Sequence, residues 1–410
     1  MKRIIKLPLL KLPKSESLAA MKKDKIFIAG FFFILLLFIL SAFCYQLIPD
    51  GTRFANRQCV PIGNQPPGFK VKMLKMMDNK PTHEGHLLSR IVGGAPRIDE
   101  YIPVSRTYYE GTDIVVKEFS SSGDSSFESR YNIADVVYPL NKQKEITERN
   151  GGLFFETADG VAIEESISDI QAIIDGQFLF TKKFVLGTDR LGRDVLSRWF
   201  AATKATLWSA FFITLIAFFA GLFIGLLAGI LRGRTKSFAV WAIQSFTSFP
   251  AMLLISGIMF IIGQGFWHMC IVSGIILGTE VTRVILFTMT NTRDRMFVDS
   301  AFALGVSQWQ VLKKHILPEI VKPLFASGAA VFCSAVLVES SLSFLGVGLP
   351  EYIPSWGTMM RENFGYIMVS GYSYMTILPG LALLFVSVTF IFFANRFHKI
   401  LKEQYNWTLV

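Results

Sequence analysis

The chain has 410 residues, a net charge of +10, and 51% apolar against 18% charged residues, where a soluble domain carries about 25% charged. The deficit is local: charge vanishes from several stretches about twenty residues long and is ordinary between them, which excludes a purely soluble protein and points to membrane spans. The positive charge does not read as a nucleic-acid footprint, because many of the basic residues sit in short loops beside apolar runs rather than on one folded face.

Residues 1–25 are basic and precede an apolar run over 26–48. That run is too long for the core of a signal peptide and, at about 1.5 Å per residue, crosses a hydrocarbon layer of about 30 Å. Phe43 stands where a lipoprotein site before Cys44 needs a small residue, so the segment reads as an uncleaved first span. A disulfide between Cys44 and Cys59 stays open; Cys270 and Cys333 fall inside apolar runs and read as small hydrophobes.

Residues 49–184 are different material, polar and rich in turn signals such as Pro66-Pro67-Gly68, Gly93-Gly94, Ser120 to Gly123 and Gly151-Gly152. Asp113–Phe119, Tyr131–Leu140 and Gly152–Thr157 read as short strands, and Glu164–Asp175 as a helix with Ile167, Ile170, Ile173 and Ile174 on one face. The segment is expected to be a small α+β insertion outside the cytoplasm, following the first span. His83 and His86 follow Met73, Met76 and Met77, which are soft ligands. No cysteine or clear spacing motif accompanies them, so no metal site is predicted.

Five further spans fall at about 205–231, 238–262, 267–289, 323–345 and 373–395, within a domain at 185–395 that ends in a tail at 396–410. The first of these carries Ala217, Gly221, Gly225 and Gly229 at four-residue spacing, a groove into which a neighbouring helix backbone fits. Lysine and arginine crowd the N-terminus, the 232–236 turn, the 290–322 loop and the tail, while the opposite short loops hold little charge. The positive-inside rule therefore places both termini in the cytoplasm. Glu280 and Arg283, three apart within a span, and Glu339 near the end of another must face protein or water, because a charge at a helix centre costs about 2.5–3.5 kcal/mol on insertion scales. Arg283 and Glu339 are candidates for the lining of a pathway.

The loop at 290–322 contains Phe297-Val298-Asp299-Ser300-Ala301-Phe302-Ala303-Leu304-Gly305-Val306-Ser307-Gln308-Trp309-Gln310 and reaches His315-Ile316-Leu317-Pro318. It reads as a helix stopped at Gly305 and a second helix capped by Ser307 and Gln310, with Pro318 ending or kinking it. This loop resembles the EAA motif of ABC-importer permeases, with Asp299-Ser300-Ala301 in place of Glu-Ala-Ala and with Gly305 and Leu317-Pro318 in their places. Leu186-Gly187-Thr188-Asp189-Arg190-Leu191-Gly192-Arg193-Asp194-Val195-Leu196-Ser197-Arg198 is similar to the leader of the dipeptide/oligopeptide/nickel branch. Arg283 matches an arginine of its fourth span, although Leu286 replaces a second one. Glu339-Ser340-Ser341-Leu342-Ser343-Phe344-Leu345-Gly346-Val347-Gly348, followed by Pro354-Ser355-Trp356-Gly357, completes the order. The family's acidic C-terminal ending is absent, and the insertion is larger than the resemblance implies.

The resemblance covers about 184–395 and implies an all-α, six-span bundle of the type I ABC-importer permease class, carrying the α+β insertion. It implies that Asp299, Ser300, Ala301, Gly305, Val306, Ser307 and Pro318 contact an ATPase. The implied partners are a homologous permease, two ATP-binding-cassette ATPase subunits and an extracytoplasmic solute-binding protein, with membrane lipid around them. No cofactor is expected. The chain lacks a phosphate-binding Gly-x-x-x-x-Gly-Lys-Ser/Thr loop, and no catalytic constellation appears. An ion-gradient-driven secondary transporter, which would want inverted repeats and broken helices, and a sensor acting through residues 49–184 are the alternatives.

Overall fold

The computed structural model describes residues 24–78, 93–95, 99–120, 128–149, 151–293 and 307–405. Asp299, Ser300, Ala301, Gly305 and Val306 lie outside the described residues, as do His83, His86 and nearly all of the basic N-terminus. The chain divides into two compact units: Ala42–Ala201 with Asn363–Met375, and Met1–Ser41, Ala202–Glu362 and Thr376–Val410.

The first of these units is built around two antiparallel sheets. Strands β1 (Phe69–Met77), β2 (Asp99–Glu110), β3 (Asp113–Glu118), β4 (Glu128–Asn132) and β8 (Leu179–Phe184) form one in the order β4-β3-β2-β1-β8. Strands β5 (Thr147–Arg149), β6 (Gly152–Glu156) and β7 (Ala162–Ser166) form the other. Helices α2 (Ile133–Val137) and α3 (Ile167–Ile173) close the core, where Ile114, Val116, Ile133, Leu153, Ile170 and Ile174 are buried together.

The strand predicted over Tyr131–Leu140 is not one element. It leaves the sheet at Asn132, whose side chain accepts from the Ala134 N–H at 3.0 Å and starts α2. An apolar Ile-Ala-x-Val-Val run fits a buried strand or a buried turn of helix equally well, and the Asn cap decides it. The helix predicted from Glu164 begins instead after Ser166, because Ala162–Ser166 is spent pairing with β6. Cys44 and Cys59 are buried and are not joined by a disulfide.

The other unit is helical: α1 (Lys25–Ala42), α4 (Val195–Ile230, from Ala202), α5 (Gly233–Thr247), α6 (Ala251–Ile262), α7 (Phe266–Arg293), α8 (Gln308–Val311), α9 (Leu317–Leu345), α10 (Trp356–Asn363) and α11 (Tyr374–Tyr405). Helices α1, α4, α7, α9 and α11 are long and apolar enough to cross a membrane. The span predicted over 238–262 is instead the pair α5 and α6, bent by 81°. Pro250 is the cause: it lacks an N–H and disfavours helical backbone at Phe249 before it, so the chain breaks and restarts.

Aromatic stacking holds α1 against α11, with Phe27 and Phe393 ring centroids 4.9 Å apart. At the same place Arg396 Nε donates to Asp24 Oδ2 at 2.7 Å, so the start of α1 and the end of the apolar part of α11 meet.

Candidate functional site

The small-residue stripe on α4 lies against α7. A Cβ added to Gly221 would stand 2.5 Å from the Gly278 carbonyl and from Val281 Cβ, and one added to Gly229 would stand 2.2 Å from Met289 Sδ. Ala217 belongs to the same contact: its carbonyl lies 3.1 Å from a Cβ built on Gly278. The groove is reciprocal, since Gly274 and Gly278 of α7 also admit α4. Thr282 Oγ1 donates toward the Gly221 carbonyl at 3.3 Å across this seam. The glycines of α7 stand four apart with Thr282 four further on, but Leu286 ends that series, so the sequence shows a shorter stripe than that of α4.

Where α5 and α6 break, a cleft of about 270 Å³ opens, lined by Phe246 to Ala251, by Leu254, and by Ile276, Leu277, Thr279 and Glu280 of α7. Glu280 pairs with Arg283 at 3.4 Å, yet their side chains remain 56% and 59% exposed. An ion pair this open, inside an apolar span, is costly to place against hydrocarbon. Among the described residues, no group of three or more histidines, cysteines or carboxylates is arranged to hold a metal.

The sequence pairs Arg283 with Glu339 as pathway candidates, but the structure exposes one and encloses the other. Glu339 has no exposed surface, and Ser343 Oγ donates to it at 2.9 Å.

Ser307 receives the Gln310 N–H at 3.3 Å on its Oγ and the Val311 N–H at 3.0 Å on its carbonyl, the geometry of an N-cap. Trp309 beside it is 67% exposed. Pro318 does not end the following helix. The chain widens to a π-turn over Leu312–Ile316 and continues as α9, with Pro318 in the first turn, where a missing N–H costs nothing.

The leader block is a buried knot. Asp189 accepts from Arg193 Nε at 2.7 Å and also from the backbone N–H groups of Leu191 and Arg193, with Arg198 Nε 3.7 Å away. Gly192 has φ of +71°, and a Cβ there would overlap the Cys59 carbonyl at 1.7 Å, so only glycine fits. Asp194 caps the start of α4 through Ser197. Burial raises its carboxyl above the usual range, opposed by those hydrogen bonds, and burial lowers the nearby Lys182 ammonium.

Residues 221–405 match the family described as the binding-protein-dependent transport system inner membrane component. Over 200 residues the chain is 32% identical to the "Probable peptide ABC transporter permease protein y4tQ" of Sinorhizobium fredii, covering 48% of this chain and 67% of that protein. The chain belongs to this family. It is 28% identical over 221 residues to the peptide transport system permease protein SapC of Haemophilus influenzae, with 54% of this chain and 74% of that one covered. It is 27% identical over 205 residues to the glutathione transport system permease protein GsiD of Pectobacterium atrosepticum, with 50% and 67% covered. As a binding-protein-dependent inner membrane component, the chain is a multi-pass permease subunit of an ABC importer with several apolar helices. Such permeases work with separate ATPase subunits. The resemblance read from the loop, leader and Glu339 blocks therefore names the right family.

Proposed function

We propose that this permease, paired with a homologous one, forms the pathway by which short peptides or a similar small solute enter the cell. Two ATP-binding-cassette ATPases energise it and an extracytoplasmic binding protein loads it. The peptide class is supported by the names of the relatives from Sinorhizobium and Haemophilus, and the glutathione permease fits the same chemistry.

The observation that carries the pathway is the open Glu280–Arg283 pair beside the cleft at the α5–α6 break. This face of α7 needs water or a partner, and a second permease supplies both. Among the described residues, counting the bent pair as one span gives six, and an even count puts both termini on one side. The Asp24–Arg396 contact agrees with that count, and the basic loops favour the cytoplasm. Residues 49–184 then lie outside as an α+β insertion. The 290–322 segment, with Asp299, Ser300, Ala301, Gly305, Val306, Ser307 and Pro318, faces the ATPases, and the exposed Trp309 beside the Ser307 cap offers an apolar contact.

The test is uptake by proteoliposomes holding the complex co-purified from native membranes. Radiolabelled dialanine and trialanine should enter in an ATP-dependent manner, and nickel ion alone should not. Nickel uptake without peptide uptake would overturn the cargo assignment.

A further inference from the structure

Glu339 lies near the end of α9, and four hydroxyls converge on its enclosed carboxyl. Ser340 Oγ and Ser343 Oγ donate from α9 itself at 3.1 and 2.9 Å, and the hydroxyls of Thr206 on α4 and Ser355 before α10 stand close enough to act on it as well. A carboxylate has about four acceptor sites, and hydroxyls from three elements surround this one in place of a cation. The same groups fasten α10. Thr206 Oγ1 accepts the Trp356 N–H at 3.2 Å. Ser355 caps α10 reciprocally, its Oγ taking the Thr358 N–H at 3.2 Å while Thr358 Oγ1 takes the Ser355 N–H at 2.7 Å. A Cβ on Gly357 would lie 2.2 Å from the Ser340 carbonyl, so α10 begins directly on the backbone of α9.

Burying an acid is costly, and apolar packing would hold two helices together at least as well. A hydrogen-bonded clasp adds direction: it fixes where α10 starts and at what angle. Its position along α9 gives that direction a use. From Leu317 to Glu339 the helix rises about 33 Å at 1.5 Å per residue, roughly the thickness of the hydrocarbon core. The near end follows the segment capped by Ser307, and the far end holds α10.

We propose that Glu339 is a positioning residue for transport. Its carboxyl clasps α10 to the far end of α9, so that α10 follows α9 when the ATPases move the segment before Leu317. This rests on the reading of that segment as the ATPase contact.

The experiment uses the assembled complex with cysteine in place of Met359, a buried residue of α10. Labelling by a membrane-impermeant maleimide is measured with and without the non-hydrolysable nucleotide AMP-PNP. With Glu339 intact, the labelling rate should change at least threefold on adding nucleotide. Glu339→Ala should label at least fivefold faster and lose the nucleotide dependence, while Glu339→Gln, whose amide oxygen still accepts hydroxyls, should stay within twofold of the parent. Parent labelling that ignores nucleotide overturns the proposal. So does Glu339→Ala labelling that tracks nucleotide like the parent, or a Gln variant as impaired as the Ala variant. If Glu339→Ala does not accumulate, Thr206→Val and Ser355→Ala, each removing one donor, should give intermediate rates, and parent-like rates in both overturn it. Loss of the ATPases from the parent complex would instead count against the reading of the loop, and the effect of Glu339→Ala on labelling without nucleotide would still decide whether the clasp exists.

Discussion

Gly225 of α4 sits so close to Ile285 of α7 that an added Cβ would stand 2.9 Å from the isoleucine Cβ. Real Cβ atoms do not approach so closely, and the neighbour is the branched root of a side chain rather than its flexible tip. Gly225→Leu should therefore force the two spans apart, at a cost of about 1–3 kcal/mol or more. Protein level and recovery of the assembled complex should fall together. Normal assembly with altered cargo preference would show that the stripe lines the pathway instead of packing it.

Glu280 and Arg283 call for the opposite outcome. An exposed i,i+3 pair stabilises a helix by only about 0.2–0.5 kcal/mol, so Arg283→Gln should leave level and assembly near those of the parent. Uptake should nevertheless drop severalfold, because the pair borders the cleft at the α5–α6 break. Unchanged uptake would remove this face of α7 from the pathway.

What the sequence made legible follows from what is local. Four small residues at one spacing announce a groove, and the Ser307 cap needs only residues three and four further on. The bend at Pro250 was written in Ser-Phe-Pro but hidden by apolar residues on both sides, which made one span look continuous. A broken helix, one of the features a secondary transporter would want, is therefore present in the structure though hidden in the sequence. Glu339 is the clearest case of what is not local. Its partners come from positions 206, 340, 343 and 355, and no spacing rule joins Thr206 to Ser355. A lone acid in a span looks the same whether it lines a channel or is sealed inside a clasp. The sheet unit was legible only in part, because strands such as Phe69–Met77 alternate lysine with apolar residues amid turn-rich sequence.

Ser307→Ala removes the side-chain acceptor for the Gln310 N–H. Such caps contribute about 1 kcal/mol, enough to fray a helix as short as α8. ATP hydrolysis by the assembled complex should become less sensitive to cargo, with little change in the amount of membrane-inserted protein. Wild-type sensitivity would mean that this cap is not part of the coupling contact.

Asp194 gives a prediction in pH. Burial holds its folded-state carboxyl above the unfolded value, so the native state favours the protonated form. The stability this confers is present at low pH and is lost as pH rises through the folded value. Asp194→Asn mimics the protonated form and keeps an acceptor for the Ser197 N–H. The melting temperature of the variant, relative to wild type, should be more favourable at pH 7 than at pH 4. A difference that does not move with pH would show that Asp194 stays ionised at both.

The central claim, that separate ATPases drive this chain, is tested most directly by purifying it in mild detergent through a tag and measuring ATP hydrolysis beside its Gly305→Val variant. Gly305 lies outside the described residues; its place before the Ser307 cap predicts a turn that a β-branched side chain cannot adopt. The account predicts that the wild-type preparation retains ATPase subunits and hydrolyses ATP. The Gly305→Val chain should insert at a near-normal level but lose the bound ATPase or the dependence of hydrolysis on cargo. A wild-type preparation that carries no ATPase and still drives uptake into liposomes from an ion gradient alone would contradict it.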